Sequence, residues 1–125
     1  MDVQVVPVDL PVGTMHLMGI LRFLSHDLVL VWPYRLAWRA IEAIRKHGCQ
    51  VCYIPDEMEA THGGALNFVT LGPKEVLMAA GNPITQAFLE SLGVICHTVE
   101  VAELHKAAGG IGCMTGVIKR ELELS

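Results

Sequence analysis

The sequence has few charged or aromatic residues and no cluster of basic ones. Only 18% of its 125 residues are charged and 6% are aromatic, and the net charge is −4. The nine lysines and arginines are scattered along the chain. A nucleic-acid-binding surface needs a concentrated basic patch, so this composition excludes nucleic acid as a partner.

Long hydrophobic runs are also missing. No apolar run approaches the roughly 18 residues of a membrane-spanning helix, and the run from Leu28 to Trp32 ends at Pro33. The first ten residues include Asp2 and no basic residue, unlike a signal peptide. We therefore expect a soluble, cytoplasmic protein that does not contact a membrane. Because 52% of the residues are hydrophobic, we also expect either that most of the chain is buried or that a partner covers some of its apolar surface.

Cysteines are few, and the strand on which two of them lie argues against a metal site. The four are Cys49, Cys52, Cys96 and Cys113, which in a cytoplasmic chain are expected to be reduced thiols. Cys49 and Cys52 have the spacing of a zinc knuckle, but they lie in an apolar stretch typical of a strand, where residues three apart point to opposite faces. No second cysteine pair is present to complete four ligands. The sequence therefore predicts buried thiols there, with no metal and no cofactor.

An internal repeat organises the chain. Two stretches that start at Leu21 and Leu66 begin with the same pattern, Leu-x-Phe-apolar-Ser/Thr, followed by a turn and a second apolar run. Each copy continues with a helix-period segment that ends at a glycine, Gly48 or Gly93, and then with a third apolar stretch. This order predicts an α/β fold of two tandem β-β-α-β modules, at about 14–63 and 64–110, with flanking strands, in a single domain over residues 1–125.

Both predicted helices are amphipathic. In the first, Ala37, Ala40, Ile41 and Ile44 are expected to face the sheet. In the second, Asn82 is the expected N-cap before Pro83. Its predicted buried residues are Ile84, Ala87, Phe88 and Leu92.

The repeat places three glycine-rich or histidine-containing stretches at comparable positions. His16, the stretch 63–67 and the stretch 110–113 all fall where a module's first strand would start. If the modules surround a common axis, these positions converge. A cysteine or histidine taken alone is more often structural than reactive, but a thiol and an imidazole that meet at such an axis form a nucleophile and base pair.

Three stretches in this order resemble a known superfamily. They are "MHLMGILRF", "LNFVTLGPKEVLMAAGNPITQAFLESLGV" and "ELHKAAGGIGCMTGVIKRE". Together they resemble the C-terminal half of the guanidino-group-modifying superfamily, the penteins, which includes arginine deiminases, dimethylarginine dimethylaminohydrolases and amidinotransferases. The resemblance covers the chain from Gly13 to Glu121 and implies an α/β propeller, of which about two of five modules are present as an incomplete ring.

The resemblance also implies a function and a site. Cys113 would be the nucleophile that attacks the central carbon of an arginine-like guanidinium, and His16 would be the acid and base. Asn67, Gly110 and Gly112 are the predicted substrate-binding residues. The reaction would be a hydrolysis or an amidino transfer without a cofactor.

One position departs from the family pattern. A carboxylate that holds the guanidinium commonly lies two residues after the catalytic histidine, where this chain has Met18. We therefore expect the chain to form a homo-oligomer or to be completed by N-terminal modules. The alternative is a non-catalytic pentein module with a structural or binding role, as in the ribosome-associated factor of the same superfamily.

Overall fold

The first module begins with a tight hairpin of apolar strands. In the computed structural model, which describes residues 2–106 and 109–121, β1 (Leu21–Ser25) pairs antiparallel with β2 (Leu28–Val31). Helix α1 (Trp38–Lys46) then returns the chain, so that β3 (Gln50–Tyr53) pairs parallel with β2. The short helix α2 (Glu57–Thr61) follows this sheet.

The second module repeats the first. Strands β4 (Val69–Gly72) and β5 (Glu75–Ala79) form the antiparallel hairpin, and α3 (Pro83–Ser91) connects β5 to its parallel neighbour β6 (Ile95–Val99). The short helix α4 (Ala102–Lys106) comes last. The prediction of an α/β fold with two β-β-α-β modules is confirmed.

The strands and helices of the two modules lie within residues 14–63 and 64–110. Residues 107 and 108 of the second range lie outside the described part of the chain. The expected flanking strands are not seen, since the six strands of the described residues all belong to the two modules. No helix among residues 2–106 and 109–121 is long and apolar enough to cross a lipid bilayer.

One apolar cluster joins the two modules. It contains Leu24 and Leu30 from the first sheet together with Phe68, Val76 and Leu89 from the second module. Phe68 is fully buried at its centre. Burial of a large aromatic side chain contributes about 1.5 to 3 kcal/mol relative to exposure, so each module stabilises the other through this shared core.

The helix faces agree with the sequence prediction in α1 and differ in α3. Ala40 and Ile41 of α1 are buried and Ile44 packs against them, although Ala37 is an exposed N-cap. Both α1 and α3 are followed by a glycine with positive φ, 84° at Gly48 and 82° at Gly93, as expected for a helix C-terminus.

The predicted face of α3 is wrong by about one residue. The buried residues are Thr85 and Leu89, with Phe88 and Leu92 partly buried, whereas Ile84 is 50% exposed and Ala87 is exposed. A prediction from apolar periodicity treats threonine as more polar than isoleucine, so it could not assign Thr85 to the buried face of the helix.

The N-terminus of α3 is capped from the first module and not by Asn82. The Asn82 side chain makes no capping bond; its Nδ2 donates to the carbonyl oxygens of Gly63 (2.8 Å) and Ala79 (3.1 Å). The backbone N–H groups of Ile84 and Thr85 instead donate to the two carboxylate oxygens of Glu59, at 2.9 and 2.7 Å. The negative charge of Glu59 therefore lies at the positive end of the α3 dipole, and α2 is tied to α3.

This contact predicts a stability difference between two neighbouring glutamates of α2. Glu59→Ala removes two charge-assisted hydrogen bonds and leaves two helix N–H groups without their acceptor, so we expect a loss of about 1 to 3 kcal/mol in the free energy of unfolding. Urea denaturation followed by circular dichroism measures it. Glu57→Ala, at an exposed position of the same helix, is the control and should cost less than about 0.5 kcal/mol; equal losses in the two variants would contradict the capping role.

Candidate active site

Cys113 and His16 line the same open cleft. Its volume is about 610 Å³, and the residues around it are Leu10, Met15, His16, Leu17, Met18, Gly112 and Cys113. The structure therefore brings together a thiol and an imidazole from opposite ends of the chain. None of the described residues that line the cleft is acidic, and Met18 contributes an apolar side chain to it.

His16 enters the cleft from the segment before β1. It is the N-cap of a short 3₁₀ turn, Leu17–Gly19, with an extended backbone (φ −135°, ψ 144°), and its carbonyl accepts a hydrogen bond from the Gly19 N–H (3.0 Å). The residue is exposed.

The Cys113 loop is anchored by one buried residue. Ile111 is 5% exposed and packs with Ala79 and Val101 of the second module. A 3₁₀ turn, Gly112–Met114, follows it, and the Met114 N–H donates to the Gly110 carbonyl (3.2 Å). Cys113 is thus held on a tight turn with its thiol exposed.

Asn67 lies between two glycines of that loop and contacts the thiol. Its Nδ2 donates to Cys113 Sγ at 3.2 Å. A Cβ placed on Gly110 would lie 2.2 Å from Asn67 Nδ2, and one placed on Gly112 would lie 2.5 Å from Asn67 Oδ1. Only glycine leaves room for the Asn67 amide at these two positions.

The three predicted substrate-binding residues therefore differ in whether they line the cleft. Gly112 lines the cleft, Gly110 is buried against Asn67, and Asn67 holds the thiol.

Sequence reasoning missed Arg22 of β1. Its Nη2 donates to the Phe68 carbonyl, its Cζ lies 5.2 Å from the centre of the Phe68 ring, and a Cβ on Gly112 would lie 3.7 Å from Nη2. Burial lowers the pKa of Arg22, and the nearby thiolate charge of Cys113 acts in the opposite direction. A single arginine in a strand gives no sequence signal that it lies beside Phe68 and Gly112. Only the packing of β1 against β4 brings it there.

The remaining thiols have other surroundings. Cys52 is buried and its Sγ lies 3.2 Å from the Val29 carbonyl oxygen; burial raises its pKa to about 11. Burial, together with the charge of Glu90, also raises the pKa of Cys96. Cys49 Sγ contacts a different carbonyl, that of His26, at 3.7 Å. Cys52 is therefore a core thiol, as the sequence predicted, and Cys49 is partly buried.

Several solved enzyme structures share this fold. The chain superposes on a dimethylarginine dimethylaminohydrolase, solved as an adduct with 4-chloro-2-hydroxymethylpyridine, with a TM-score of 0.64 and 26% identity over 82% of this chain and 37% of that one. It superposes on SxtG, an amidinotransferase from Microseira wollei, with a TM-score of 0.72 and 16% identity over 90% of this chain and 33% of that one. The chain thus spans about a third of the length of these proteins.

A third similar structure is that of a dimethylarginine dimethylaminohydrolase variant from Pseudomonas aeruginosa in complex with citrulline. Its TM-score is 0.60, with 24% identity over 82% of this chain and 36% of that one. The fold is that of the guanidino-group-modifying penteins, present here as two of their modules.

The family follows from the sequence. A profile described as arginine deiminase matches residues 34–120, which is well over half of the chain. The chain belongs to the arginine deiminase family. No curated protein sequence matches it significantly.

The burial differences predict an order of thiol reactivity. At pH 7.5, Cys113 should be alkylated by iodoacetamide faster than Cys49, Cys52 and Cys96, because its thiol is exposed and accepts a hydrogen bond from Asn67. Cys52 should react last, since a thiol with a pKa of about 11 is almost wholly protonated at this pH. Peptide mass spectrometry of a time course gives the four rates. If Cys113 reacts no faster than Cys49, its assignment as a reactive thiol is wrong.

The contact of Asn67 with Gly110 predicts an energetic coupling. Gly110→Ala should destabilise the protein by about 1 to 3 kcal/mol because the new methyl group overlaps the Asn67 amide. The same change in an Asn67→Ala background should cost about 1 kcal/mol less, because the amide is gone. Gly116→Ala is the control, since a Cβ there meets nothing within 4 Å. Additive losses for Gly110→Ala and Asn67→Ala in urea denaturation would contradict this packing.

Proposed function

We propose that this chain carries the nucleophile and the acid–base residue of a guanidine-modifying enzyme, Cys113 and His16. The substrate would be an arginine-like guanidino compound. The observation that carries the proposal is that both side chains line one cleft. The arginine deiminase family membership supports the reaction class.

The reaction would have two steps. In the first, the Cys113 thiolate attacks the central carbon of the guanidinium, a C–S bond forms and a C–N bond breaks, and His16 gives a proton to the departing ammonia or amine. In the second, His16 takes a proton from water, or from an amine acceptor, which attacks the same carbon. The C–S bond then breaks and the thiolate is regenerated. The reaction needs no cofactor.

The second half of the site would come from outside the described residues. A guanidinium is best held by carboxylates, and no described residue that lines the cleft supplies one. We propose that they come from a second copy of this chain or from further modules. Apolar side chains on the strands support such a contact: Phe23, Leu71 and Ile95 are 47%, 50% and 59% exposed. The four free thiols support a reducing, cytoplasmic compartment.

A second candidate function is that of a non-catalytic binding or structural module. The mostly apolar lining of the cleft, with Met18 in place of an acid, favours it. In that case the Cys113 and His16 side chains would be retained without turnover.

Product release separates the two functions. Arginine, agmatine and methylated arginines are incubated with the protein over a range of protein concentrations, and the release of ammonia or amine is measured. If the protein is an enzyme whose site is completed by a second copy, the rate of release should rise faster than linearly with protein concentration. Cys113→Ser and His16→Ala should each lower that rate at least a thousandfold. Cys49→Ser is the matched control and should keep full activity. Equal rates in wild-type and Cys113→Ser protein would overturn the nucleophile assignment. No release at any protein concentration would exclude a site completed by a second copy of this chain and would favour the binding module or a site completed by further modules.

A further inference from the structure

The segment that carries His16 has little packing of its own. Residues 15–19 are all exposed, and the 3₁₀ turn Leu17–Gly19 contains no buried residue. Segments with few apolar contacts open most easily in a folded protein. The position of His16 therefore depends on the contacts that fix the two ends of this segment, at Thr14 and Ile20.

Both ends are bonded to one turn, the four residues 32–35 that follow β2. At the start of the segment, Arg35 Nη2 donates to Thr14 Oγ1 at 3.2 Å. At its end, the Trp32 backbone N–H donates to the Ile20 carbonyl at 2.9 Å, and the Ile20 side chain is buried. The exposed segment is thus held between two contacts with the same turn.

The geometry of the turn directs the Arg35 side chain back onto Trp32. The Arg35 N–H donates to the Trp32 carbonyl at 3.4 Å. Pro33 at the second position and Tyr34 at the third, with a positive φ of 67°, are typical of a type II turn. The Arg35 Cζ lies 4.7 Å from the centre of the Trp32 ring. Because a planar guanidinium can stack on a ring and donate a hydrogen bond at the same time, the stacked side chain also reaches Thr14.

Two features of this turn are unfavourable by themselves. Tyr34 has a left-handed backbone that side chains rarely adopt, and its own side chain is fully exposed and gains no packing there. The Arg35 Nε is buried and has no hydrogen-bond partner among the described residues, which is costly for a donor. Strained positions of this kind cluster at functional sites, and the contact that this one makes possible is the bond to Thr14.

We propose that Arg35 is a positioning residue that, through Thr14, holds the imidazole of His16 at the cleft. The proposal rests on the function proposed above and deepens it by naming what fixes the acid–base residue. Without the bond to Thr14, the exposed segment would be attached at Ile20 alone, and the imidazole would no longer have one fixed place. A displacement of about 1 Å can lower the rate of a catalysed step about a hundredfold.

The test measures order in residues 15–19 and does not require turnover. Backbone NMR relaxation of the full chain gives order parameters for these residues and for β5, which serves as the internal reference. Arg35→Met removes the donor and keeps an unbranched stem. Thr14→Val removes the acceptor at nearly constant size, and Thr14→Ser retains the hydroxyl group. The control is Arg39→Met, on the exposed face of α1.

The proposal predicts a local loss of order. Residues 15–19 should have order parameters of about 0.85 in the wild-type protein and below about 0.6 in Arg35→Met and Thr14→Val. Thr14→Ser and Arg39→Met should keep the wild-type values, because both retain the hydrogen bond at position 14. The double variant of Arg35→Met and Thr14→Val should lose no more order than either single variant, since both changes remove the same bond.

Kinetics supply a second measurement. If the wild-type protein releases ammonia or amine, Arg35→Met should lower kcat about tenfold or more and change KM less than about threefold, because the substrate contacts remain. Alkylation of Cys113 by iodoacetamide should stay within about twofold of wild type, because the Cys113 turn is fixed by Asn67 and not by Arg35.

Three results would overturn the proposal. They are unchanged order parameters in Arg35→Met, an equal loss of order in β5, which would indicate general destabilisation, and a segment 15–19 that already lacks order in the wild-type protein. If Arg35→Met does not fold, the comparison of Thr14→Val with Thr14→Ser decides in its place. Absence of turnover in the wild-type protein would count against the proposed function alone, because the order parameters report the role of Arg35 independently.

Discussion

The candidate site depends on the packing of the Asn67 amide between Gly110 and Gly112. This contact joins the start of the second module to the loop that carries Cys113, and it leaves no space for a side chain on either glycine. The buried Ile111 side chain fixes the loop between them. Because these contacts hold the loop against Asn67, the Cys113 thiol faces the cleft that His16 lines from the other side.

The same principle of contact between modules holds the fold together. The two β-β-α-β units have the same topology, yet neither has a complete set of packing and capping contacts without the other. Phe68 lies in a core made by both, and the carboxylate of Glu59 in the first module caps α3 in the second. The buried amide of Asn82 adds a bond to Gly63. A repeat fold of this kind obtains its stability from interfaces between units as well as from the units themselves.

Family membership and site geometry describe different parts of the function. Arginine deiminase family membership and the pentein fold define the chemistry of relatives, whose substrates carry a guanidino group. The cleft contains a thiol and an imidazole but no acid among its described lining residues. Under the proposed function, Cys113 and His16 would supply the groups for attack and proton transfer, and the carboxylates that hold the guanidinium would come from another surface.

The amino-acid sequence by itself determined the order of strands and helices, the two-module repeat and the candidate pair of Cys113 and His16. The strands, helices and repeat follow from periodicity and spacing within each module, whereas the pair of Cys113 and His16 follows from the repeat together with the family resemblance. Only the tertiary structure decided the cap of α3, its buried face at Thr85 and the position of Arg22 against Phe68 and Gly112. The physical reason is that each of these is a contact between residues far apart in the chain, and local propensity carries no information about which distant group will cap a helix or pack against a loop.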